Sequence, residues 1–558
     1  MTAKTSARTI VAVMTSVAIA ATLSTLGSAA APRFFDDDPV WVEHDTENAK
    51  GITPLEVDLV TDLAYNMVYG SSNAAPVRAQ NVNSVDEVPD SSWFTNRAGR
   101  LALTEEDITR GPNRTDGPAP GTWTVSSSKS DGVTPGFTVK DSTGQRWFIK
   151  FDPRGYRGMA TGTEVTATKL MWALGYNVPE NHIAYLRRDQ LVVGPTAKFT
   201  PAPGRTRAMR SEDIDRLLDR ADREPDGSYR VIASRALEGT PVGRIRFFDT
   251  RPDDPNDIVA HENRRELRGY GVFAAWLNHV DAKAINSLDT LVTENGRSFV
   301  RHHLIDFGST LGSGGVGPAD RWAGSEYLVE PSSMGRQLIG FGIASPRWQR
   351  ASFYEAPSIG RIRRDNSNFD PRAWKPRVPN QAFLHARADD RFWAASKLVS
   401  LTTNLLRAAV RAGDFGDPQS EEVLVRALAE RRDAIARAYL TDINPISDVS
   451  LDRDGRLTFR NLAVDADVAR APRAYHAVWS EFDNATGDTR FIGTSDADRA
   501  GVLAPSTLPS REGAFVKVAL SSSGSDHASW SYPVDAYFRL QAGSWRLVGF
   551  DRLTDATD

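Results

Sequence analysis

No cysteine occurs among the 558 residues of this chain. Disulfides, thiol nucleophiles, thiolate zinc sites and lipid attachment through an N-terminal cysteine are thereby excluded. Lysine is scarce: 11 of the 67 basic residues are Lys and the rest are Arg, so each Lys is more informative than usual. The nine His are scattered, with neither H-E-x-x-H nor a tight cluster. The phosphate-binding pattern G-x-x-x-x-G-K-[ST] and the hydrolase pattern G-x-S-x-G are both missing. No spacing singles out a carboxylate pair of the glycosidase kind. A net charge of −4 gives no basic excess, which argues against a dedicated nucleic-acid binder. Beyond residue 30, no stretch approaches the roughly 20 apolar residues that a membrane span requires.

What remains is the composition of a soluble globular protein, 40% apolar and 25% charged, long enough for two or three domains. Residues 1–30 have the three parts of an export signal. Lys4 and Arg8 charge the start, Ile10 to Leu26 is small and apolar, and Ser28-Ala29-Ala30 offers small residues before Ala31. Thr and Ser interrupt the apolar run, so cleavage is expected rather than a retained anchor. The expected destination is periplasmic or extracellular, through a Sec-type signal, since no twin-Arg pair is present.

The expected organisation is a signal at 1–30, an extension at 31–121, a central domain at 122–445 and a C-terminal β domain at 446–558. Thr109 to Gly121 reads as a linker. Trp123–Ser126, Phe137–Lys140 and Arg146–Phe151 read as three short strands joined by KSDGVTPG and DSTGQ. A helix follows, with Thr161 or Thr163 as its cap, Val165, Leu170, Met171 and Leu174 as its apolar face, and Gly175 as its stop. From Glu262 the pattern turns helical. Helices are expected at Glu262–Asn278, at about Asp390–Ala412, and from Asp417-Pro418 to Tyr439. From about Ile446 the runs are short and alternating, with a hairpin signal at Asp454-Gly455, which fits a small sandwich or barrel.

Two segments carry chemistry. His279-Val280-Asp281-Ala282-Lys283-Ala284-Ile285-Asn286 fits H-x-D-x-K-x-x-N, and Asp306-Phe307-Gly308 lies downstream in HHLIDFGSTLG. Upstream, the apolar strand Trp147-Phe148-Ile149 ends in Lys150, and Glu164 falls in the first turn of the next expected helix. Carboxylates and an amide supply hard oxygen ligands, and lysines neutralise phosphates. An Asp beside them accepts a hydroxyl proton, which together is what phosphoryl transfer needs. Gly132 and Gly136 lie in KSDGVTPGF, whose backbone N–H groups are candidates for the phosphates, although a plain hairpin explains them equally well. Leu237-Glu238-Gly239 is placed where a hinge would meet a base, and Gly312–Gly317 reads as a flexible loop.

These motifs resemble the protein-kinase-like superfamily over about Trp123 to Leu440. The resemblance is to its atypical branches, the HipA-like kinases, the secreted spore-coat (CotH-type) kinases and the phosphatidylinositol kinases. It implies an α+β, two-lobed fold with a β-rich N-lobe and a helical C-lobe, here followed by an all-β sandwich-like module. It implies ATP with Mg²⁺ or Mn²⁺ as cofactors. Asp281 would be the catalytic base and Lys283 would steady the γ-phosphate. Lys150, paired with Glu164, would hold the α- and β-phosphates, and Asn286 and Asp306 would be the metal ligands. Val280 stands where ordinary protein kinases have Arg, and no A-P-E follows, so control by a phosphorylated activation loop is not implied. The expected function is an exported kinase acting on a hydroxyl of a protein, lipid or glycan acceptor. Two alternatives stand beside it: an inactive envelope scaffold on the same fold, and an adenylyltransferase. For the scaffold, the C-terminal aromatics (Tyr475, Trp479, Trp530, Tyr532, Tyr537, Trp545) are candidates for stacking on sugars, although packing in the β core accounts better for most of them.

Overall fold

The computed structural model describes residues 31–69, 76–129, 134–201, 205–328, 347–364, 369–498 and 501–553. The segment 1–30, expected to be an export signal, and Gly132 lie outside them. The chain is mixed α+β, with a β-rich N-terminal region and several sheets. No helix among the described residues is long and apolar enough to cross a membrane.

The first sheet comprises β1 (Trp123–Ser128), β2 (Gly136–Lys140), β3 (Arg146–Phe151), β4 (Asn181–Leu186), β5 (Leu191–Phe199), β6 (Arg207–Ala208) and β7 (Tyr229–Arg235). Their order across the sheet is β4-β7-β3-β2-β1-β5-β6. Alternation decides which face each side chain takes. On β3, Trp147, Ile149 and Phe151 are buried in the core of the sheet, so Lys150 points to the other face. Gly136 opens β2 directly opposite Lys150, and a Cβ there would overlap the Ile149 carbonyl. Its glycine is therefore required by the close pairing of β2 with β3.

Helix α3 (Met159–Ala173), preceded in the chain by α1 (Leu59–Tyr69) and α2 (Glu105–Arg110), is buried on almost every side. Neither Thr161 nor Thr163 caps it. The cap comes from Asp152, just past β3, whose carboxylate accepts from the N–H groups of Gly158 (2.8 Å), Ala160 (2.9 Å) and Thr161 (2.9 Å). A carboxylate satisfying three free N–H groups at the positive end of the helix explains a buried Asp at this point. The earlier start puts Glu164 in the second turn rather than the first. At the other end Gly175 (φ 112) follows the last turn, and a side chain there would overlap the Phe94 ring. The expected linker at 109–121 is pinned, because Glu180 accepts from the Arg114 and Thr115 N–H groups and the Thr115 hydroxyl.

A short α4 (Ser211–Leu218) precedes the helical region, which begins with α5 (Arg265–Leu277). There follow α6 (Gln381–Leu384), α7 (Ala388–Val399), α8 (Thr403–Ala412) and α9 (Pro418–Tyr439). The single helix expected over 390–412 is two. Thr402 has extended backbone and caps α8 through Leu405 N–H, so the chain turns at residues 400–402 where periodicity alone runs on. A three-stranded sheet is made by β8 (Thr240–Gly243), which precedes α5 in the chain, and by β9 (Ser287–Glu294) and β10 (Arg297–Leu304), which lie between α5 and α6. A two-stranded hairpin of β11 (Phe353–Ala356) and β12 (Gly360–Arg363) lies farther on.

The C-terminal strands form two sheets around one apolar core. The first holds β13 (Ile446–Leu451), β14 (Arg456–Asn461) and β17 (Gly501–Leu503). The second holds β15 (Ala474–Phe482), β16 (Thr489–Ala497), β18 (Phe515–Ser523), β19 (Val534–Gln541) and β20 (Ser544–Asp551), in the order β16-β15-β18-β19-β20. Tyr475, Trp479, Trp530 and Tyr537 are buried, so their role is packing rather than sugar stacking; Tyr532 is exposed. The N-terminal segment ties the parts together. Phe34 packs on Phe482, Phe515 and Tyr537 of the C-terminal sheet, and Leu55 bridges Gly243 at the end of β8. Farther along, Trp93 and Phe94 enter the helical core.

Candidate functional site

Two local features bring the chemistry-bearing residues together. The first is the hairpin of β9 and β10, in which Ser287 pairs with Leu304 at the open end. That register forces the residue before β9 against the residues after β10, and the Ile305 N–H donates to the Asn286 carbonyl at 3.0 Å. The turn is made by Asn295 and Gly296, both with positive φ (51° and 78°). This Asn-Gly dipeptide is a strong hairpin signal that the reading of the sequence did not use. The second feature is the end of α5. Asn278 (φ 52) closes it, and His279 N–H returns to the Ala274 carbonyl at 2.8 Å, which throws Val280 to Lys283 out as a loop.

On that loop, Lys283 Nζ lies 2.7 Å from Asp281 Oδ1. Asn286 Nδ2 donates to the Asp281 carbonyl (2.8 Å) and to its Oδ2 (2.9 Å). Burial pushes the Asp281 carboxyl up, but Lys283 and Asn286 outweigh it, and Asp281 is held ionised below the usual range. With its nitrogen turned to Asp281, Asn286 keeps its amide oxygen as a candidate ligand. His279 is buried beside Phe307 and Tyr270 (ring centroids 5.5 and 6.1 Å), and burial lowers its pKa to about 4. It is therefore neutral near pH 7 and serves as packing behind the loop.

A second cluster meets it. Lys150 Nζ lies 2.8 Å from Glu164 Oε2 and 2.9 Å from Asp306 Oδ1. Asp306 has left-handed backbone (φ 62), and Gly308, two residues on, lets this segment close on α3: a Cβ there would stand 3.1 Å from Glu164 Oε2. One ammonium thus serves two carboxylates. Burial works against the charge on Lys150, but Asp306 and Glu164 outweigh it and raise its pKa. Asp306 is likewise opposed by burial and held ionised by Lys150 and Lys129. Glu164, 2% exposed against 37% for Asp306, is pushed up by burial and by the Asp306 charge more than Lys150 draws it down. Lys150 and Lys129 together balance Glu164 and Asp306, and Asp306 is the carboxylate on the side open to solvent.

Asp306 and Asn286 carry hard oxygen atoms on neighbouring stretches of backbone, since the Ile305 N–H donates to the Asn286 carbonyl, and such a pair suits a divalent cation completed by ligands from outside the protein. No group of three or more His, Asp or Glu among the described residues forms a self-sufficient metal cage. Two further residues belong to the site. Lys129, at the end of β1, is 3.8 Å from Asp306 Oδ2. Asp62 on α1 is buried, hydrogen-bonded by Asn66 and pushed up to about 6 by burial, against the charges of Arg246 and, more weakly, Lys283. Lys129 was legible as one of few lysines. Asp62 carried no signal, since it lies in the N-terminal extension, 219 residues before Asp281. Gly136 is placed in the sheet opposite Lys150, and Glu238 pairs with Arg114 at 2.8 Å. Residues 312–317 form a defined turn in which Gly314 N–H donates to the Gly317 carbonyl at 2.8 Å.

No family model, no curated protein and no solved structure matches this chain.

Proposed function

We propose that the chain is an exported, ATP-dependent phosphotransferase of the atypical protein-kinase-like kind. The observation that carries this reading is the bridge from Lys150 to both Glu164 and Asp306, with the Asp281–Lys283–Asn286 loop held beside it by the β9–β10 hairpin. In this reading the first sheet with α3 forms the smaller lobe and α5 to α9 the larger, and the triphosphate lies between them.

Each side chain then has a task. Lys150 neutralises the α- and β-phosphates, and Glu164 fixes its position. Lys283 balances charge that builds on the transferring group. Asp281, ionised and open to the loop, orients the acceptor hydroxyl and takes its proton. Asp306 and Asn286 hold Mg²⁺ or Mn²⁺, which supplies the remaining charge neutralisation on the phosphates. The acceptor is a hydroxyl on a protein, lipid or glycan of the envelope or beyond, following the expected export signal.

The test is calorimetric titration of the chain from Ala31 with ATP, with and without Mg²⁺ or Mn²⁺. Metal-dependent binding that Asp306→Ala abolishes is the expected result. No binding under any metal condition overturns the ATP-dependent reading. With binding in hand, transfer of label from γ-labelled but not α-labelled ATP separates phosphate transfer from AMP transfer.

A further inference from the structure

Behind the loop that carries Asp281 lies a cavity of about 230 Å³, walled by Trp276 and Asn278 at the end of α5, by Phe353 and Arg363 of the β11–β12 hairpin, and by Trp374 and Arg431. Arg431 projects from α9 and is 6% exposed. Its Nε donates to the Trp276 carbonyl at 2.8 Å and one terminal nitrogen donates to the Ala275 carbonyl, while its face stacks on the Phe369 ring at 3.7 Å. The other terminal nitrogen, Nη1, makes no hydrogen bond among the described residues. Arg363 makes a single one, from Nη2 to the Ser325 hydroxyl at 2.8 Å.

Neither guanidinium forms an ion pair among the described residues. Of the carboxylates that line the cavity, Asp320 pairs with Arg377 (3.1 Å), while Glu326 accepts from the Trp348 indole N–H of the same wall (2.8 Å) and Asp370 from the Arg372 backbone N–H (2.9 Å); none forms an ion pair with Arg363 or Arg431 among the described residues. Other deeply buried arginines of this protein are neutralised. Arg265, for example, lies against Asp86 (2.8 Å), Asp389 (2.8 Å) and Asp390 (3.1 Å). A buried cation without a counterion is costly, and two facing one cavity repel each other as well. The strain shows on Arg431, whose pKa falls to about 9 through burial and the charge of Arg363.

We propose that this cavity binds a small oxyanion, a carboxylate or a phosphate group, seated on Arg363 and Arg431 with its body against Trp374 and Phe353. The planar guanidinium forks suit a two-oxygen contact, and the aromatic walls suit a flat body. The site is separate from the Lys150–Asp306 cluster and does not depend on the phosphotransfer reading.

Titrations of the chain from Ala31 at fixed ionic strength, one with inorganic phosphate and one with benzoate, test it. Binding of at least one with a Kd below about 1 mM is expected. Arg363→Gln should weaken it roughly tenfold or more, since a charge-assisted contact is lost. Lys283→Met should leave it unchanged. Tighter phosphate binding identifies a phosphorylated ligand and tighter benzoate binding a carboxylate. Arg431 also ties down the end of α5, so Arg363→Gln, which gives up a single side-chain hydrogen bond, to Ser325, is the informative variant. Absence of binding to about 10 mM, binding that survives Arg363→Gln, or binding lost in Lys283→Met each overturns the proposal.

Discussion

Replacing Lys150 with methionine removes the cation shared by Glu164 and Asp306 and leaves two carboxylates facing each other, one of them 2% exposed. Breaking a buried charge pair from one side costs about 3–5 kcal/mol. Asp306 is 37% exposed and has Lys129 at 3.8 Å, which holds the expected loss near the lower end. Glu164→Gln removes a charge that its surroundings already disfavour, keeps an oxygen for Lys150, and leaves Lys150 its 2.9 Å contact with Asp306. Its cost should stay below about 1 kcal/mol. Combining the two substitutions should then recover about 2 kcal/mol relative to Lys150→Met, because one stranded charge is gone. The chain has several apolar cores, so a local readout is better than one global unfolding transition. Hydrogen exchange of the β3 peptide Arg146–Phe151, followed by mass spectrometry, reports opening of the strand that carries Lys150. In Lys150→Met that peptide should regain protection as pH falls and the stranded carboxyls take up protons. Equal losses from Glu164→Gln and Lys150→Met, or a double variant no better protected than Lys150→Met, would refute the charge accounting.

Three other outcomes are expected. His279 has its pKa lowered to about 4, so the unfolded chain takes up a proton before the folded one does; stability should fall as pH drops from about 6.5 to 4, by on the order of 3 kcal/mol from this residue, and His279→Leu should flatten that slope in urea unfolding followed across pH. Gly175→Ala places a side chain at φ 112 into the Phe94 ring and should lower the melting temperature sharply, while Phe94→Ala in the same chain should give part of it back. Phe34→Ala should cost about 3 kcal/mol by emptying the space between Phe482, Phe515 and Tyr537, read as faster proteolytic release of the N-terminal segment.

Strands β1 to β3 were legible because turn residues bracket alternating apolar runs, and α9 because Asp417-Pro418 starts it: Asp417 accepts from Gln419 and Ser420 N–H groups. The break between α7 and α8 was not, since the apolar period runs through Ser400-Leu401-Thr402 and only a cap at Thr402 interrupts it. The start of α3 was misplaced because its cap, Asp152, stands six residues before Gly158 and reaches it across a loop. Likewise the C-terminal aromatics gave no sign of which were buried, because burial depends on which sheet face meets the core.

By itself the sequence determined what one loop or strand contains. Asp281, Lys283 and Asn286 lie within six residues, so backbone turns and short side-chain bonds fix their mutual distances. Lys150 ends an alternating strand, and alternation sets its face. Only the tertiary structure decided that Lys150 meets Asp306, 156 residues away, and that one lysine serves two carboxylates. It alone brought Asp62 into the field of Lys283 and left Arg363 and Arg431 facing one cavity with no ion pair among the described residues. The reason is range. Hydrogen bonds and torsions couple near neighbours in the chain. Which distant charges share a low-dielectric space is set by how the sheets and helices pack, and that fixes their ionisation and their need for a partner.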